Sequence, residues 1–244
     1  MCGIFGYVGS RTDAGGLVIE GLKNLEYRGY DSWGVAWKEG STMEVRKETG
    51  KISHLEPKDF GGEASSIALA HTRWATHGGV TKLNAHPHLS CDGTIAVIHN
   101  GIVENFEELK AELTKNGHTF LSETDTEVVA HLVEEEMKKT NDFGAAFRQA
   151  CIRCKGRNAF LALHTQSQTL VAARTGSPLI VGVGDDGFYI ASDTPAFLKH
   201  TRTVQYIDDG EMVVTDGKNI LFYDIMTGEE RMKREVEIKW KPEQ

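Results

Sequence analysis

Apolar positions along the chain recur with two different periods. Ala14, Leu17, Val18, Gly21, Leu22 and Leu25 return every three or four residues, which predicts an amphipathic helix from Ala14 to Leu25. A second helix is predicted from Val103 to Lys115, with Phe106, Leu109 and Leu113 on one face and Asn116-Gly117 as its left-handed stop. A third is expected to start near Thr124, whose side chain would cap it while Glu127 closes a capping box. Val128, Val129, Leu132, Val133 and Met137 would be its buried face. A fourth covers Asp142 to Cys154.

Short runs of β-formers predict strands on both sides of these helices. Before them come Ile4–Val8, Gly34–Trp37, Met43–Lys47, Ile67–His71 and Thr94–His99. After them come Ala159–Leu163, Thr169–Ala173, Leu179–Val183, Phe188–Ala191, Thr203–Ile207, Glu211–Val214 and Ile220–Tyr223. Strands that flank a helical cluster argue against βαβα alternation and for an α+β layered domain.

The chain has 244 residues, 40% apolar and 25% charged, an ordinary globular balance. That length fits one large domain or two small ones, and its core needs no disulfide or metal staple. The net charge is −8, and no basic stripe suggests a nucleic-acid partner. The mixed-charge run Glu229–Glu243 reads as solvated surface. No apolar stretch is long enough to span a bilayer, and the first residues do not resemble a secretory signal, so no membrane role and a cytosolic location are expected. Cys151-x-x-Cys154 lies on the apolar stripe of the fourth helix and reads as core packing rather than half of a zinc site.

Four segments carry candidate chemistry. Cys2 would bear a free α-amine once Met1 is removed, and that amine could serve the thiol as a built-in base. Asn100-Gly101 follows an apolar strand, and its amide and backbone N–H can both aim at a developing oxyanion. The same pair could equally be a tight turn. In the run His71 to Gly78, Arg73 can grip a carboxylate. In the run Ser122 to Glu127, a carboxylate either serves a helix start or meets a substrate ammonium. His86-Pro87-His88 lacks the neighbours of a metal site, and no metal or cofactor is expected. Nucleophile, oxyanion hole, cation and anion together suit an amino acid with a side-chain amide, glutamine above all.

At these residues the sequence resembles the glutaminase domain of the glutamine–fructose-6-phosphate aminotransferases. The resemblance rests on Cys2-Gly3-Ile4, Leu25 to Ser32, Ala70 to Gly78, Asn84 to His88, His99 to Ile102, Ser122 to Glu127, Gly176 to Leu179 and Ala191-Ser192-Asp193. It implies a four-layer α/β/β/α sandwich of the N-terminal-nucleophile hydrolase type. Cys2 would attack the glutamine amide, with Asn100 and Gly101 as the oxyanion hole. Arg73 would hold the α-carboxylate with help from Thr76 and His77, and Asp125 the α-ammonium. Trp74 would gate the ammonia path near His86; Arg28, Asp31 and His71 would support the site. The products would be glutamate and ammonia. Residues 1–240 would form the glutaminase domain, and 241–244 would begin a linker to a sugar-phosphate isomerase domain that the family carries and this sequence lacks.

Gly79-Val80 departs from the Glu-Pro common in the family, which predicts a mobile loop from Arg73 to Thr81 that orders over the ligand. Trp33 replaces a small residue, and Gly156 to Phe160 differs from the usual pattern. Competing readings are the glutaminase half of another class II amidotransferase and a silent glutamine-binding module. Trp74 and Tyr30 favour the aminosugar group over the first; Cys2 and Asn100-Gly101 speak against the second.

Overall fold

A computed structural model describes residues 2–55, 64–76 and 78–239. The readings placed on Met1, His77 and residues 241–244 fall outside them. Two antiparallel sheets form the centre. The first contains β1 (Gly3–Gly9), β2 (Ser32–Glu39), β3 (Thr42–Thr49), β4 (Ile67–Arg73), β9 (Ile180–Gly184), β10 (Gly187–Ala191), β11 (Thr203–Tyr206) and β15 (Val236–Glu237). Their order is β15-β11-β9-β10-β1-β4-β2-β3. The second contains β5 (His88–Leu89), β6 (Ile95–Gly101), β7 (Asn158–His164), β8 (Thr169–Thr175), β12 (Glu211–Thr215), β13 (Ile220–Asp224) and β14 (Glu230–Arg231), in the order β14-β13-β12-β8-β7-β6-β5. The helices are α1 (Ala14–Lys23), α2 (Phe106–Lys115), α3 (Glu127–Met137) and α4 (Phe143–Arg153).

The period-two pattern explains the layering. In β1, Phe5 and Tyr7 face α1, whereas Ile4 and Val8 point into the space between the sheets. In β6, Ala96 and Ile98 meet that same space, whereas Ile95 and Val97 pack against α2, α3 and α4. Three apolar cores therefore separate four layers, the expected α/β/β/α sandwich. Trp33 is buried in the α1 core, which accommodates its bulk. Cys151 packs in the helical core, as its stripe predicts, with half-buried Cys154 against it.

Local differences have physical causes. The third helix starts at Glu127, and Thr126 rather than Thr124 precedes it. Its carboxylate accepts the Leu121 and Ser122 N–H groups at 2.8 and 2.7 Å, so no Thr124 capping box forms. Thr124 instead bonds its hydroxyl to His88 Nε2 at 2.9 Å. Glu230–Arg231 and Val236–Glu237, read as surface, add short edge strands to the two sheets. At two residues each, they are too short to show a periodicity.

Because β1 and β4 are antiparallel, the start of β1 lies beside the end of β4, with Gly3 opposite Thr72. The end of β6 reaches the same corner from the other sheet, where the Asn100 amide contacts Cys2. Strand ends from both sheets thus surround residue 2.

Candidate active site

Cys2 sits at this corner. Its Sγ accepts the Trp74 N–H at 3.1 Å. Burial pushes the thiol pKa up, while that hydrogen bond and the charge of Arg73 oppose the rise. Asn100 Nδ2 donates to the Cys2 carbonyl at 2.7 Å. Its Oδ1 lies 3.0 Å from His71 Nε2, which is also 3.1 Å from the His99 carbonyl. Two acceptors face that nitrogen, so it carries the proton, and His71 fixes which way the Asn100 amide points. Burial drives the His71 pKa down to about 3. The ring is therefore neutral near pH 7.

Gly101 has φ +127°, and a Cβ there would stand 2.1 Å from the Arg157 carbonyl oxygen. Backbone conformation and space both demand glycine. The loop before β2 explains another motif. A Cβ on Gly29 would meet the Arg73 carbonyl carbon at 2.8 Å and the Trp74 nitrogen at 2.9 Å. Asp31 then pins this crossing, taking the Ala75 N–H on Oδ2 at 2.9 Å and giving its own N–H to the Arg73 carbonyl at 3.0 Å. Arg28 reaches Asp193 Oδ2 at 2.5 Å, where Tyr27 also donates at 2.6 Å.

A cleft of about 390 Å³ opens over Cys2, walled by Arg28, Trp74, Thr76, Asn100 and Gly101 together with Ile102, Ser177 and Pro178. Other predicted residues lie off its walls. Arg73 is only 4% exposed and Asp125 6%. Arg73 Nη1 donates to the Gly79 carbonyl at 3.2 Å, and Asp125 Oδ2 takes the Val103 N–H at 2.7 Å. Burial draws the Arg73 pKa down, while Cys2, Asp125 and Asp31 oppose it. His86 is buried, stacked on His71 with ring centres 4.3 Å apart, and its Nδ1 accepts the His99 N–H at 3.3 Å. Trp74 is half exposed and packs against Tyr30.

Asp193, Ser177, Asn84 and Glu123 all lie in the motifs quoted for the resemblance, yet none had a role of its own assigned from the sequence. Asn84 Nδ2 and Arg73 both hold the Gly79 carbonyl, and Glu123 takes the Asn84 amide at 3.0 Å. The Gly79 end of the loop is thus folded onto Arg73.

The profile of the glutamine amidotransferase domain matches residues 36–219. The chain belongs to the glutamine amidotransferase domain family. This amidotransferase domain is 47% identical over 242 residues to a protein of Pyrococcus horikoshii called glutamine–fructose-6-phosphate aminotransferase [isomerizing], covering 98% of this chain and 40% of that relative. The namesake from Thermococcus kodakarensis is 46% identical, with the same shares. The domain thus spans about 40% of the length of the curated relatives it matches. Among solved structures, it resembles the glutamine phosphoribosylpyrophosphate amidotransferase of B. subtilis at 25% identity and a TM-score of 0.77, covering 93% of this chain and 50% of that one. The resemblance fits the N-terminal-nucleophile type of sandwich. Among the described residues, no helix is long and apolar enough to cross a membrane.

Proposed function

We propose that this chain hydrolyses the side-chain amide of glutamine, with Cys2 as its N-terminal nucleophile. The observation that carries the reading is the Asn100 amide, held by His71 and donated at 2.7 Å to the residue that bears the thiol. After Met1 is removed, the α-amine of Cys2 takes the thiol proton and Sγ attacks the amide carbonyl. Asn100 Nδ2 and the Gly101 N–H stabilise the oxyanion. The amine returns its proton to the departing nitrogen, so ammonia leaves and a thioester remains. Water, deprotonated by the same amine, then releases glutamate and regenerates the thiol. Arg73, with Thr76 and His77, holds the α-carboxylate; Asp125 holds the α-ammonium. The loop from Arg73 to Thr81 would order over bound glutamine and exclude water from the thioester. Trp74 gates the ammonia path near His86, while Arg28 and Asp31 brace the strand ends.

The relatives' names support a wider setting. Residues 1–240 form the glutaminase domain and 241–244 lead towards a sugar-phosphate isomerase domain in a full-length chain. The ammonia serves glucosamine 6-phosphate synthesis from fructose 6-phosphate in the cytoplasm. Glutamate release with and without a thiol alkylator tests the reading. Loss of release on alkylation of Cys2 supports it; undiminished release contradicts it.

A further inference from the structure

A second cysteine gathers a different set of groups, remote in sequence from those around Cys2. Cys91 follows β5, His118 follows α2, and His131 and Glu134 lie one turn apart on α3. The four potential ligand atoms all lie within 4.8 Å of one another. Cys91 Sγ is 3.5 Å from His118 Nδ1 and 3.6 Å from His131 Nδ1. Glu134 Oε2 is 3.0 Å from His118 Nδ1 and 3.5 Å from His131 Nδ1. Zinc bonds of about 2.3 Å to sulfur and about 2.0–2.1 Å to nitrogen or oxygen give tetrahedral edges of about 3.3–3.6 Å. Three of the four spacings fall within those edges, and the Glu134–His118 spacing of 3.0 Å is slightly shorter.

The outer contacts agree. His118 Nε2 meets Glu135 Oε1 at 2.6 Å, and His131 Nε2 faces Glu127 Oε1 at 3.6 Å. The Glu135 carboxylate on His118 Nε2 favours the proton there and turns that ring's Nδ1 lone pair inwards, whereas His131 Nε2 is buried without a hydrogen-bond partner. Glu134 is itself set in place by the Cys91 and Asp92 N–H groups, at 3.0 and 3.2 Å. Two imidazole nitrogens, a carboxylate oxygen and a sulfur therefore lie close enough together to share one ion.

We propose that Cys91, His118, His131 and Glu134 bind one tetrahedral Zn²⁺. On binding, the thiol loses its proton to solvent and the Zn–S bond forms, so thiolate and carboxylate together balance the ion's charge. Four protein ligands close the tetrahedron, which makes the site structural rather than catalytic. The ion would tie the loop after β5 and the α2–α3 connection to α3. That connection also carries Asp125. His118 and His131 are buried, whereas Cys91 is exposed and offers the ion a way in.

The test uses the whole chain in a Cys2→Ala background, so that the nucleophile binds no metal. After chelator treatment, the folded protein should take up one equivalent of Zn²⁺ and its Tm should rise on the order of 5 °C. Co²⁺ should give tetrahedral d–d bands with a thiolate charge-transfer band, and Cys91→Ser should remove the latter. Glu135→Gln should weaken Zn²⁺ binding about 10–100-fold by freeing the His118 ring. No stoichiometric uptake by folded protein, or a Co²⁺ spectrum unchanged by Cys91→Ser, overturns the proposal. If Cys91→Ser does not fold, X-ray absorption of the Zn²⁺-loaded protein decides. One sulfur and three nitrogen or oxygen scatterers support the site; none or two sulfurs overturn it.

Discussion

Cys2 and Cys91 sit in contrasting surroundings, although the same helix connects them. Asp125 lies just before α3, near the Cys2 corner, while His131 and Glu134 lie on α3 and meet Cys91. Around Cys2, donors and acceptors alternate. Trp74 gives its N–H to the thiol, Asn100 gives its amide to the Cys2 carbonyl, and His71 gives its ring N–H to Asn100. Around Cys91, four potential ligand atoms lie close together. An alternating network can offer a donor to charge that appears only during a reaction. Such a cluster suits a cation that stays. The difference lies in the proton ledger, because both sites use cysteine, histidine and a carboxylate.

The largest effect should separate the two cysteines outright. Cys2→Ala should reduce glutamine hydrolysis by a factor on the order of 10⁴ or more, because no other group supplies the thioester. The Co²⁺ spectrum of the same variant should keep its thiolate band. A variant that still turns over glutamine would assign the nucleophile elsewhere.

Next comes the donor. Asn100→Ala should lower kcat on the order of 10²–10³ with little change in KM for glutamine. A change confined to KM would make Asn100 a binding residue. Arg73→Ala and Asp125→Asn should act the other way, each raising KM about 10–100-fold through a lost charge-assisted contact. A glutamine analogue without the α-amine should no longer distinguish Asp125→Asn from the parent. Continued discrimination would leave Asp125 with only its bond to the Val103 N–H.

The smallest effects concern pH. Burial lowers the pKa of His71 to about 3 and also depresses His86, His88 and His99. Each is neutral when folded, yet takes a proton in the unfolded chain below about pH 6.5. Unfolding therefore binds protons in acid. Stability should be fully present above pH 6.5 and fall as pH drops, the His71 contribution approaching about 1.4 kcal/mol per pH unit until pH nears 3 and the other three histidines adding in the same direction. Urea midpoints from pH 7.5 down to 5 check the sign; a midpoint that rises on acidification would refute it.

Much of this was legible in the sequence because the candidate active-site groups lie in short motifs at strand ends. Cys2 immediately precedes β1, Arg73 ends β4, and Asn100-Gly101 ends β6, so recognising the strands already places them at strand ends. Long strands and amphipathic helices were equally plain, since their periodicity reports the layer each face meets. Features made by distant pairs were not. Arg28 and Asp193 stand 165 residues apart. Cys91, His118 and His131 come from three segments, and only His131 and Glu134 share a helical spacing. The Thr124 box failed because Glu127 was already committed to the Leu121 and Ser122 N–H groups.

The central claim is that one particular sulfur performs the chemistry, and only when its own nitrogen is free. The direct measurement is peptide mass spectrometry after treatment with a glutamine analogue whose amide is replaced by an electrophilic ketone. Molecules that have lost Met1 should carry one adduct on Cys2, blocked by excess glutamine, with glutamate release falling in step. Molecules that retain Met1 should remain unlabelled. Glutamine-protected labelling at Cys91, Cys151 or Cys154, or equal labelling and turnover with Met1 in place, would contradict the account.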